Sequence, residues 1–128
     1  MTAEGTTDRG WVAVALWLAL QVTLTSLPGK AIPVAAPHPL DWAAHFCLYG
    51  GLGALVARAG ALRAWPLRRV VWAGLALSAW AALDELHQLF IPGRDAELGD
   101  WLSDTLGASL GLYVGTRLMT SKAARWLR

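Results

Sequence analysis

Cysteine is almost missing from this 128-residue chain: Cys47 stands alone, so no intramolecular disulfide can form and a four-cysteine zinc site is excluded. Charge is scarce as well, at 16% of residues. The hydrophobic share is 55% and the mean hydropathy +0.41, above that of ordinary soluble domains. Segments of about ten alternating apolar and polar residues, the mark of a membrane β-barrel, are nowhere visible, and neither is an internal repeat or a low-complexity tract. The chain also lacks a His-Glu-x-x-His pair, a nucleophile elbow around Ser103, Thr105 or Ser109, and the strand-to-helix turn of a phosphate loop. Cys47 points roughly 160° away from His45 on a helix, which leaves the thiol without a basic partner.

What the chain does contain is apolar blocks long enough to cross a bilayer core of roughly 30 Å. Four helices are predicted, over residues 11–27, 42–59, 70–91 and 101–119, in one domain covering 1–128. Pro28-Gly29 ends the first, and Pro33, Pro37 and Pro39 are expected to keep the next segment extended. Asp41 opens the second, where it could serve as a plain N-cap. Arg58, Arg63, Arg68 and Arg69 bracket the connection around Pro66, and Pro92-Gly93 closes the third. The fold class expected is therefore all-α, a four-helix transmembrane bundle. Glu4 and Asp8 beside Arg9 are the wrong charge for a signal n-region, so the first helix is expected to be retained.

The net charge of +2 hints at nucleic acid, but its placement argues topology instead. Arg9, the four arginines of the second connection, and Arg117, Lys122, Arg125 and Arg128 lie on one side; only Lys30 and Arg94 lie on the other. The positive-inside rule then puts both the N- and C-termini in the cytoplasm, with no nucleic-acid partner. Trp42 and Trp101 read as anchors at the outer face, and Trp65, Trp72 and Trp126 at the inner face.

On that topology the remaining polar residues gather at the outer end. Asp41, His45 and Tyr49 fall on one stripe of the second helix, Asp84, His87 and Gln88 on one stripe of the third, and Asp100, Asp104, Gly107 and Gly111 on one stripe of the fourth. An ionisable group inside a membrane helix costs a few kcal/mol, so such groups face the bundle interior, take partners and mark sites. Asp84 and Glu85, being neighbours, point about 100° apart and need separate partners, one of them Arg94 and the other a histidine. The ligand-binding set expected is Asp41, His45, Tyr49, Asp84, Glu85, His87, Gln88, Arg94, Asp100 and Asp104. Imidazole and carboxylate together would admit zinc or manganese, yet without a compact ligand motif no metal and no cofactor are expected. Gly107, Gly111 and Gly115, four apart, favour close helix contact and offer a homo-oligomer interface.

Three motifs carry a resemblance: Asp41-x-x-x-His45-Phe46-x-x-Tyr49; Asp84-Glu85-x-His87-Gln88-x-Phe90-x-Pro92-Gly93-Arg94; and Asp100-x-x-x-Asp104-x-x-Gly107-x-x-x-Gly111. In this order over about seventy residues, with Ser26-Leu27-Pro28 ahead of them, they resemble the VanZ-like membrane proteins of bacteria. Trp42 departs from the family, whose members commonly carry lysine there. The resemblance implies a small multi-pass protein of the bacterial cytoplasmic (inner) membrane, linked to tolerance of teicoplanin, a lipoglycopeptide. Two readings stay open. One is a binding module whose outer pocket takes a membrane lipid, cell-wall precursor or lipophilic ligand. The other is an intramembrane enzyme acting on an envelope lipid, with His87 as base and Asp84 or Glu85 orienting it.

Overall fold

The computed structural model describes residues 3–31, 38–60 and 65–126, with side-chain surroundings for 9–31, 38–60 and 65–117. The expectations for Pro33, Pro37 and Arg63, and for the side chain of Trp126, lie outside these. Four long helices and one short 3-10 turn make up the described chain, without strands among the described residues: α1 Ala3–Thr25, the turn Gly29–Ala31, α2 His38–Ala59, α3 Leu67–Gln88 and α4 Leu98–Trp126. All four predicted helices are present, and their ends differ from the apolar blocks. Helices α1 and α4 run beyond them into polar sequence, because hydrogen-bonded backbone can continue where hydropathy stops.

Helix α2 begins before Asp41, which therefore sits inside its first turn rather than capping it. Pro39, expected in an extended segment, is the second residue of this helix, where its missing N–H interrupts no intrahelical bond. Helix α3 ends at Gln88 instead of 91, and Leu89, Phe90 and Ile91 continue as tight turns with bonds to Leu86, His87 and Gln88.

The helices surround the core in the order α1, α2, α4, α3, with α2 and α4 the most closely packed pair. Glycine explains that pair. A methyl group at Gly107 would meet the Phe46 backbone, one at Gly111 the carbonyl of Gly50, one at Gly115 the Ala57 side chain, and one at Gly53 the carbonyl of Ala108. The stripe proposed for an oligomer interface is thus covered by α2 within the chain. On the other flank, Trp17 of α1 lies over Gly51 and donates its indole N–H to the carbonyl of Leu48 at 2.9 Å. Trp101 does not act as an isolated outer anchor: it reaches across to α3 and donates to the carbonyl of Ser78 at 3.1 Å. Trp42 and Trp72 are exposed, while Trp65 packs against the core.

At one end the first and third connections meet. The Gly29 N–H donates to the carbonyl of Pro92 at 3.1 Å, and Gly93 takes φ +76°, a left-handed turn that glycine adopts without penalty. A side chain at Gly29 would strike the Gly93 carbonyl, so the two Pro-Gly turns are packed back to back. This contact joins the first and third connections at the polar end of the bundle.

Helix α2 is long and apolar enough to cross a membrane, and Arg9–Thr25 forms a shorter apolar stretch. The other two helices fall short by composition: α3 carries Arg68 and Arg69 at its start and Asp84 and Glu85 near its end, and α4 carries Asp100 and Asp104 in its first two turns.

Candidate functional site: a buried acid and histidine cluster

The interior is more polar than the surface. Gln21, Thr25, His45, Asp84, Glu85, Gln88, Asp100 and Asp104 are buried, while leucines, valines and tryptophans on all four helices are exposed. Every buried polar group named here lies toward the C-terminal ends of α1 and α3 and the N-terminal ends of α2 and α4. The antiparallel arrangement brings these ends together.

Helical spacing builds the first part of the cluster. His45, one turn after Asp41, presents Nδ1 to Asp104 Oδ1 at 3.0 Å and Nε2 to Asp100 Oδ2 at 3.6 Å. Asp100 and Asp104 stand one turn apart on α4, so a single imidazole spans both. Gly107, one turn beyond, lets α4 approach α2 closely enough for this. Asp104 is 0% exposed and its Oδ2 meets no donor; Oδ1 of Asp100 is buried and equally without a partner.

Glu85 enters from α3. Its Oε1 accepts from Gln88 Nε2 at 3.1 Å and its Oε2 from the Glu97 backbone N–H at 2.9 Å, which ties the start of the α4 turn to α3. One metal-ligand-type atom from each of His45, Glu85 and Asp104 lies within 4.8 Å of the others, all three residues being buried, and Asp41, His45 and Asp100 form a second set of the same span in which Asp41 is half-buried.

Asp84 belongs to a neighbouring layer. Tyr49 donates its hydroxyl to Oδ2 at 3.2 Å, and the Thr25 hydroxyl lies 2.8 Å from Oδ1 and 3.0 Å from the Gln21 carbonyl, with one proton to give. Gln21, 1% exposed, has neither amide atom hydrogen-bonded. Sequence reasoning missed Gln21 and Thr25. Their signal was there, since two polar residues one turn apart in an apolar helix are costly unless they face inward.

The expected set is thus divided. His45, Tyr49, Asp84, Glu85, Gln88, Asp100 and Asp104 are gathered in the interior, and Asp41 is half-buried beside them. His87 is not drawn in: it is half-buried, and its side chain has no hydrogen bond or ion pair among the described residues. The inward stripe of α3 runs through Leu77, Ala81, Asp84, Glu85 and Gln88, and His87 lies roughly 100° around the helix from its middle. Arg94 does not pair with either neighbouring acid as expected. It forms no ion pair among the described residues, its Nε is buried without a partner, and its charge lies in electrostatic range of Asp100.

The other end of the bundle is different in kind. Between α3 and α4 runs a groove of about 650 Å³ lined by Trp65, Val70, Gly74, Leu112 and Tyr113, with Arg117 stacked on the Tyr113 ring at 5.2 Å. It holds no carboxylate.

Residues 11–119 match the VanZ/LLP1 family, and the chain belongs to it. That family is typically membrane associated, in keeping with the apolar α2. No curated protein and no solved structure matches the chain.

Proposed function

We propose that the chain is a multi-pass protein of the bacterial cytoplasmic membrane, with four crossing helices and cytoplasmic termini, whose polar end opens outward and binds the head group of a lipid-linked or cell-wall ligand. The observation that carries the reading is the inversion of polarity. Large apolar side chains, leucine above all, face outward on all four helices while acids, a histidine and amides fill one end, an arrangement expected where the surroundings are themselves apolar. The Lys and Arg asymmetry orients that end away from the cytoplasm. In this reading half-buried Asp41 and Arg94 would form the rim, within reach of a head group, and the buried Asp100, Asp104 and His45 would form the floor. Arg94, with no ion pair of its own, would hold an anionic group such as a phosphate. A link to teicoplanin, implied by the resemblance to VanZ-like proteins, follows if that ligand is a lipoglycopeptide.

Two measurements test this. In a Cys47→Ser background, a cysteine at Ala96 should react with an impermeant maleimide on intact cells, and one at Leu67 only after permeabilisation; the reverse pattern overturns the topology. Native mass spectrometry of gently extracted protein should show a retained phosphate-bearing lipid that Arg94→Gln and Asp104→Asn lose. Equal retention in both variants overturns the pocket.

A second reading, an intramembrane enzyme acting on an envelope lipid, is favoured by one contact: the 3.0 Å approach of His45 Nδ1 to Asp104, the arrangement of a base held by an orienting carboxylate. It transfers the base from His87 to His45. Turnover of a labelled envelope lipid by purified protein, lost in His45→Ala and kept in His87→Ala, would establish it.

A further inference from the structure

We infer that His45, Glu85 and Asp104 bind a divalent transition ion, zinc or manganese, at the buried junction of α2, α3 and α4. The donor set comes from three helices, and each residue offers one ligand-type atom within 4.8 Å of the other two. Donors placed roughly 2.1 Å from a shared ion stand up to about 4.2 Å apart, so a small rotation of one carboxylate completes the set. One imidazole with two carboxylates is a composition both ions accept, and three protein donors leave a coordination position open.

Two further observations point to a cation rather than to packing alone. The first is an orphaned acceptor: Asp104 is 0% exposed, its Oδ1 is engaged by His45, and its Oδ2 has no donor. Buried carboxylate oxygens are ordinarily satisfied, since an unmet one gives up its hydration with no partner to replace it. The second is a shortage of positive charge. Asp84, Glu85, Asp100 and Asp104 are all at most 5% exposed, and among the described residues His45 is the one cationic-type side chain within ion-pair distance of any of them. Arg94, whose charge lies in electrostatic range of Asp100, makes no ion pair among the described residues. A divalent ion supplies two charges where two carboxylates and the ring already converge. The supporting shell is also in place: Gln88 and the Glu97 N–H hold the Glu85 carboxylate, and the second ring nitrogen of His45 faces Asp100.

The probe is the metal alone, so the outcome is independent of any head-group ligand. Full-length protein in detergent, stripped with a chelator, is titrated with manganese and followed by electron paramagnetic resonance, with zinc measured by elemental analysis after dialysis. The expected result is about one ion per chain, weakened at least ~10-fold in Glu85→Gln and in Asp104→Asn and unchanged in His87→Ala. Because a variant could fail to fold, wild-type manganese protein is also examined for nitrogen hyperfine coupling from the His45 ring, which needs no substitution. Wild-type protein that binds no ion overturns the inference. So does wild-type affinity in both Glu85→Gln and Asp104→Asn, or bound manganese without nitrogen coupling.

Discussion

The two ends of the bundle are held together in opposite ways. At the polar end the helices are kept at side-chain distance by His45, Tyr49, Asp84, Glu85 and Asp104, linked by hydrogen bonds that cross from helix to helix. Deeper along α2 and α4 the spacer disappears, and glycine brings backbone against backbone from Phe46 and Gly107 to Ala57 and Gly115. In the membrane reading proposed above, a surface surrounded by lipid gains little from burying leucine, so association comes from close van der Waals packing or from polar contacts. This chain uses one at each end. Packing without polar atoms tolerates almost no added volume, whereas a polar cluster tolerates the loss of one contact and keeps chemistry available.

The largest effect is expected from breaking the packed region. In Gly111→Leu the new side chain lands on the Gly50 carbonyl and near the Ala54 backbone, neither of which can yield without moving α2. The expected loss is about 3 kcal/mol or more in reversible unfolding in micelles, with the polar cluster lost alongside because α2 carries His45. A variant as stable as wild type would mean that the two helices are not held by the glycine stripe.

The polar region should give smaller, coupled losses. Thr25→Val and Tyr49→Phe each remove one donor to Asp84 and are expected to cost about 1 kcal/mol singly. Together they leave that buried carboxylate with no donor, so the double variant should exceed the sum by roughly 0.5 kcal/mol or more. Strict additivity would show that Asp84 does not join the two.

This contrast also accounts for what the sequence could convey. Four helices, their order and the convergence of Asp41, His45, Tyr49 and Asp104 follow from periodicity and topology, because a residue four positions along a helix must share its face. The choice between Glu85 and His87 does not follow. Both stand among polar neighbours on α3, and only the rotation of that helix, set by Leu77 and Ala81 packing inward, brings Glu85 into the interior and leaves His87 half-buried. The position of Arg94 after Pro92-Gly93 suggests an acidic partner, but the direction in which that turn leaves α3 is fixed by its contact with Gly29, a residue far away in sequence. The glycine stripe was recognised as a close-contact surface without its partner, since spacing reports that something approaches and not what.

Between the two regions, α3 and α4 are joined by Ser78 Oγ and Thr105 Oγ1 at 2.9 Å, beside the indole of Trp101 on the Ser78 carbonyl. Here the smallest change is expected. Ser78→Ala removes one neutral, part-buried hydrogen bond, and Thr105 can turn its hydroxyl to its own helix, as Ser109 already does toward the carbonyl of Thr105 at 2.7 Å. The cost should be about 0.6 kcal/mol, and it should add independently to that of Gly111→Leu if the middle layer belongs to neither end. A penalty several times larger, or one that vanishes when Gly111 is replaced, would place this hydroxyl pair within the packed region and move the boundary between the two modes of association toward the polar cluster.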